Sequence, residues 1–499
     1  MNQTKDRFSV SYSESPSSID WFSIPAQFED QNNLSRVIKV ISEALKDNSS
    51  VRKVALNQLR LRPRDIRAKG DMLRVNTKLE FINLRQSLDS SCAPLLIAAL
   101  MDNFAVKEAL FGRNSLGEHA GSLIGALLRQ NCALRSLDLR ETDLREESIR
   151  QLCLGLSDNS TLEGLCLNDT HLGACGGIQL SEMLQRNSSL QTLALENTSL
   201  GDEGGVAIMR SLFVNTSLLE LHLGKNLLED SSAFVLAEAL HLPNIRLQKL
   251  NLHDNLIGEL AGNAVAIALT VNSTLQRLSI GMNRLGVLGG LGFSDAIRAN
   301  TTLTGLNIGG NGLGLIGTQA LLDAVRSNQS ILVLDISCNI PTATPPPLAS
   351  CVGQLLRENQ SLRILDFRFN FMGDEVGVSI AEALTANTAL EALDFSRNCS
   401  GDLSGIAFGH MLTTNYTLQA LNLAHNDYSE IAVETIADCF RTNTSLEELR
   451  LDTPFSKHPS PGVRVIRESL ARNIANRKQK EATLFMTLLP LLCIEGIKE

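Results

Sequence analysis

Two hydrophobic rhythms alternate along most of the chain. In Leu190–Thr216, residues Leu190, Leu193 and Leu195 form an L-x-x-L-x-L run, followed by Thr198 and Leu200. Alternation over so few residues predicts a short strand. After Gly201-Asp202-Glu203, residues Gly205, Ile208, Met209 and Leu212 fall on one face, and the stretch closes on Asn215. That spacing predicts a helix. One strand and one helix cannot bury an apolar face alone, so the unit implies stacking on copies of itself.

The copies are present. The first apolar residue of the strand recurs at Val51, Leu79, Val106, Leu134, Leu162, Leu190, Leu218, Leu247, Leu275, Leu303, Ile331, Leu362, Leu390, Leu418 and Leu446. Most steps are 28 residues, and one, from Ile331 to Leu362, is 31. Parallel strands stack about 4.8 Å apart, whereas helices are about 10 Å wide. A row of each must therefore curve with the strands inside. The fold class expected is α/β: a solenoid, or horseshoe, with a parallel β-sheet on the concave face and helices on the convex face.

The L-x-x-L-x-L-x-x-N motif at this copy number resembles the leucine-rich repeat of the ribonuclease-inhibitor-like type, with units of about 28 residues between Val51 and Phe455. It is similar to the repeat arrays of NOD-like receptors. The resemblance implies a non-enzymatic scaffold or regulator that binds a protein partner on its concave face. Two alternatives stay open under it: a GTPase-activating protein of the Ran-specific leucine-rich-repeat type, and a protein inhibitor of an enzyme.

Around the array the pattern divides the chain. Residues 1–18 are polar and Ser-rich, which predicts a disordered tail. Residues 19–50 read as an N-terminal cap, its front half expected near Ser23–Phe28, with a linear motif around Trp21 as the alternative. Residues 51–456 form an array of about 15 repeats, and 457–499 a C-terminal helical cap with an apolar tail. A helix is expected over Pro461–Lys480, and the apolar stretch after it is broken by Pro490. A membrane helix needs about 20 apolar residues, so no membrane span is expected. The long unit holds its extra length in Pro341–Pro347, read as a tolerated surface insertion.

Polar positions repeat as well. The residue after each strand is Thr142, Thr170 and Thr198, then Asn226, Asn255, Asn283, Asn311, Asn339, Asn370, Asn398 and Asn426. An inward Asn can satisfy backbone groups that the turn would otherwise bury unpaired, so these positions read as a structural ladder. Asn159, Asn187, Asn215, Asn272, Asn300 and Asn443 begin Asn-x-Ser/Thr sequons, but they recur where the helix ends. Repeat grammar explains them better than glycosylation.

Composition narrows the function. Net charge is −9 with pI near 5.5, which argues against nucleic acid. The N-terminus shows no apolar h-region, so no secretory signal is expected. Ten scattered cysteines read as reduced thiols in a cytoplasmic protein. Gly312, Gly314 and Gly317 spell G-x-G-x-x-G, yet each fills an ordinary repeat position. No cofactor, metal, catalytic group or small-molecule substrate is expected. His222, His253 and His425 fall in different columns.

Function should then lie between the leucines, where alternate side chains point away from the core. The middle units are bare there: Ser279, Gly281, Gly305, Asn307, Gly309 and Gly310. The following units carry Asp335, Asp366, Arg368, Phe369, Asp394, Arg397 and His425. These seven residues are the expected protein-binding patch, since aromatic and Arg side chains carry much interface energy.

Overall fold

The computed structural model describes residues 21–23, 31–46, 50–117, 119–341, 347–452 and 461–494. In the two end helices it describes side chains at 34–46 and 462–478. The expected tail over 1–18, Thr342–Pro346 of the insertion, and residues 495–499 lie outside the described residues. The chain forms two compact units, Met1–Ile257 and Gly258–Glu499.

In the first unit, three-residue strands begin at Trp21, Lys53, Phe81, Glu108, Ser136, Gly164, Thr192, Glu220 and Lys249. Each runs parallel to the next. Helices from Gln31–Lys46 to Asp230–Leu240 connect them. The second unit repeats the scheme, with strands beginning at Arg277, Gly305, Val333, Ile364, Ala392, Ala420 and Glu448. Its helices run from Glu259–Leu269 to Pro461–Ile494. Both units are thus α/β solenoids with the expected strand-then-helix order.

The first strand is displaced from its expected place. It spans Trp21–Ser23 and pairs with Lys53–Ala55, ending before Pro25. Proline has no N–H for a ladder, so the paired stretch precedes it. At the other end, the helix backbone runs through Pro490 to Ile494 instead of breaking there.

The core follows the leucine frame. In the second unit the middle strand residues Leu278, Leu306, Leu334, Leu365, Leu393 and Leu421 are buried. The positions two residues on, from Ile280 and Ile308 to Phe367, Phe395 and Leu423, are buried beside them. Helix faces complete the layer: Val376, Ile380, Ala381 and Leu384 of Gly373–Leu384 are buried. Close helix packing needs small residues. A Cβ on Gly290 would lie 2.8 Å from Gly317 Cα. Gly317, the last residue of the G-x-G-x-x-G string, is therefore a packing glycine.

Helix starts are capped across repeats. The Asp374 carboxylate accepts from Gly401 N at 2.7 Å and Ser404 N at 3.1 Å, in the next unit. Asp202 does the same for Glu229 N and Ser232 N. Each acidic residue satisfies donors that a helix N-terminus leaves open.

Two asparagine ladders tie the turns. In the first, Asn339 Nδ2 donates to Ile308 O and Ile336 O, while its Oδ1 accepts from Asn311 N at 2.9 Å. Thr198 enters the same ladder by donating to Leu195 O and Asn226 Oδ1. The second ladder holds the sequon asparagines. Asn187 Nδ2 donates to Leu156 O and Asn159 O, and Oδ1 accepts from Leu190 N at 2.8 Å. Asn159, Asn187, Asn215, Asn272, Asn300 and Asn443 are all buried, which leaves no room for a glycan. Asn473, in the last helix, extends this ladder to Asn443 O and Leu446 O.

Candidate partner-binding surface

In the second unit the strands Val333–Asp335, Ile364–Asp366 and Ala392–Asp394 pair in register, so Asp335, Asp366 and Asp394 stand in a row. Asn422 continues the row. Leu334, Leu365 and Leu393 face the core, so the aspartates project from the opposite face. Strand spacing sets their backbones about 4.8 Å apart.

Each carboxylate is held by the turn that follows its strand. Asp335 accepts from Ser337 N at 3.0 Å and Ser337 Oγ at 2.7 Å. Asp394 accepts from Ser396 N and Oγ, and from Asn422 Nδ2 at 2.9 Å. Asp366 accepts from Arg368 N at 3.2 Å and pairs with Arg368 Nε at 3.3 Å. These are local side chain to backbone turns of the kind Asp favours.

Like charges at this spacing resist ionisation. The Asp366 carboxyl is pushed up to about 7, first by burial and then by Asp335; the Arg368 cation opposes this and Asp394 adds to it. Among the described residues, Arg368 is the one cation in ion-pair reach of the three. The first unit provides a contrast. There Asp138 is fully buried between Arg85 and Arg140, with Arg140 Nε at 3.0 Å. That charge is internally matched; the three-aspartate row is not.

Phe369, Arg397 and His425 lie one step beyond the strands, in left-handed turns with φ of 58°, 58° and 57°. Cys338 occupies the same position at 54°. The residue preceding the first ladder adopts this conformation throughout, including Glu141, Lys225 and Asp254. Cross-repeat bonds hold it there: Phe369 N donates to Ser396 O at 3.1 Å and Arg397 N to Ala424 O at 3.0 Å. The expected patch therefore divides. Asp335, Asp366 and Asp394 lie on the strands, Arg368 follows them, and the other three form a rim.

The rim side chains interact along the row. Arg397 Cζ lies 4.6 Å from the Phe369 ring centroid. His425 Nδ1 lies 3.1 Å from Asp452 Oδ2. Beside Phe369 opens a notch of about 230 Å³, lined by Gly312, Cys338, Asn339, Ile340, Pro341 and Phe371 as well. Phe369 and Phe371 remain 40% and 42% exposed. Sequence reading missed Phe371, Ile340 and Cys338. The signal available was position: Phe371 sits where Gly312 and Cys399 sit, two residues beyond the rim column.

One of the bare middle positions has a packing cause. A Cβ on Gly309 would come within 2.6 Å of Ser337 Oγ and 2.8 Å of Asp335 Oδ1. Glycine there makes room for the neighbouring Asp–Ser turn.

Among the described residues no group of His, Cys, Asp or Glu is arranged to hold a metal ion. None of their helices is long and apolar enough to cross a membrane. A leucine-rich-repeat family model matches residues 186–209, 299–322 and 358–381. No curated protein matches the chain. Among solved structures, an internalin from Listeria monocytogenes is 18% identical with a TM-score of 0.42, covering 85% of this chain and 95% of its own. The actin-binding site 2 of leiomodin-1 is 19% identical with a TM-score of 0.26, covering 29% of this chain and 82% of its own. At these scores neither bears on function.

Proposed function

Because this chain is a leucine-rich-repeat protein, we propose that it acts as a non-enzymatic scaffold or regulator recognising a protein partner through the late strand face and rim of its second unit. Leucine-rich-repeat proteins generally mediate protein–protein interaction. The carrying observation is the row Asp335, Asp366 and Asp394, three adjacent carboxylates with one cation in ion-pair reach among the described residues. Exposed Phe369 and Phe371 beside it supply the apolar surface that anchors such contacts. In this reading the repeats are of the ribonuclease-inhibitor-like type, the first strand–helix pair and the last helix serve as caps, and the protein is cytoplasmic.

The test is a pull-down with quantitative mass spectrometry, comparing the unaltered chain with Asp366→Arg/Arg397→Glu. A partner lost by the folded double variant supports the surface. A partner kept by both overturns it.

A further inference from the structure

The notch and the aspartate row adjoin, and their chemistry differs. The notch walls are Phe369, Phe371, Ile340, Pro341 and Cys338. A volume of about 230 Å³ accepts one side chain the size of Leu, Met or Phe. The row is made of carboxyl groups: Asp366 pairs with Arg368, whereas Asp335 and Asp394 make no ion pair among the described residues. Asp335 precedes Cys338, and Asp366 precedes Phe369, by three residues in each case. The strands end at Asp335 and Asp366, and the left-handed turns at Cys338 and Phe369 set the notch just past them.

Resting on the function proposed above, we propose that this surface takes an extended peptide segment of another protein that carries Lys or Arg close in sequence to a large apolar side chain. The cation lies over Asp335 and Asp366, and the apolar group enters the notch between Phe369 and Phe371. Charge complementarity selects this occupant over an acidic segment. Arg368 already stands 3.3 Å from Asp366, so the incoming cation is directed toward Asp335. The Arg397 guanidinium over the Phe369 ring steadies that ring as a wall.

The experiment is selection of a random twelve-residue peptide library displayed on phage against the full chain. The chosen peptides are then titrated by fluorescence anisotropy. The expected result is enrichment of Lys or Arg near Leu, Ile, Met or Phe. Binding should weaken tenfold or more for Asp335→Asn and for Phe371→Ala, and hold for Lys225→Ala, a rim residue of the first unit. Circular dichroism of each variant establishes that it is folded.

Acidic peptides, failure to enrich, equal binding by Asp335→Asn and Phe371→Ala, or self-association of the chain through this face would each overturn the proposal. A lysate partner lost by Asp366→Arg/Arg397→Glu, with no such peptide enrichment, would sink this inference and leave the proposed function standing.

Discussion

Arg397 and Phe369 occupy the same position in successive repeats, and the guanidinium carbon of one lies 4.6 Å from the ring centroid of the other. The contact holds two exposed side chains in one geometry without a carboxylate. Exposed cation–π pairs are worth about 0.5–1 kcal/mol. A double-mutant cycle of Arg397→Ala and Phe369→Ala, read by urea unfolding, should return a coupling of that size. A coupling indistinguishable from zero would mean the ring is not braced.

The aspartate row makes stability depend on pH in the less usual direction. Asp366 in the folded chain holds its proton up to about 7, whereas an unfolded aspartate releases it near about 3.9. The folded state therefore binds more protons between those values. Its contribution is fully present below about pH 4 and is lost as pH rises through about 7. Charged and titratable groups facing it are Asp335, Asp394, Arg368 and Cys338. Asp366→Asn should remove a loss of up to about 4 kcal/mol between pH 4 and 8, at about 1.4 kcal/mol for each of the roughly three pH units that separate the two values. Denaturant titrations at both pH values, showing equal slopes for variant and parent, would refute this.

A second buried titratable group lies in the first unit. Lys69 is buried, and its Nζ has no hydrogen-bond partner in the structure. Burial brings its pKa down to about 7, against smaller raising effects of Asp65 and Cys92. An unfolded lysine holds its proton up to about 10.4, so the unfolded chain binds more protons between those values. Stability therefore rises with pH across that window. Lys69→Met should stabilise the first unit by about 2 kcal/mol at pH 7, since an unsatisfied buried donor costs about that much. The gain should shrink toward pH 10. A variant equally stable or weaker at pH 7 would show that Lys69 finds compensation.

Repeat stacking localises damage. Leu306 is 1% exposed, in the middle of Gly305–Asn307 between Arg277–Ser279 and Val333–Asp335. Leu306→Ala should cost about 2–5 kcal/mol and loosen those neighbours first. Hydrogen exchange should report early loss of protection there. Uniform loss along the chain would contradict nearest-neighbour coupling.

What the sequence disclosed and what it hid follow from the period. Leu306, Leu334 and Leu365 were legible because each repeats at a fixed interval and one face must be buried. The Gly–Asp helix starts were visible as well, but not that Asp374 caps the helix of the next repeat, a relation that exists only in the stack. The sequon asparagines were read as helix ends. Asn159 and Asn300 do cap their helices; what the sequence hid is that they are extended, with ψ of 131° in each, and donate their amides to neighbouring backbone. The notch was hidden because it is aperiodic. It lies where Ile340 and Pro341 leave the frame and where a bulky Phe371 fills a position that holds Gly312 and Cys399 in other repeats.

The left-handed rim column has a wider meaning. At this position Gln58, Arg113, Glu141, Lys225, Met282, Phe369 and His425 all adopt a conformation that glycine takes without strain, yet only Gly310 among the column's residues is glycine. An L-residue here gives up roughly 1–2 kcal/mol, and in most repeats a backbone bond to the next repeat holds the turn whatever the side chain, while His425 N donates to the Asp452 carboxylate. Shape and vocabulary are therefore decoupled. The fold dictates where each rim side chain stands and is indifferent to which one it is, so binding preference can be rewritten residue by residue while the scaffold keeps its form.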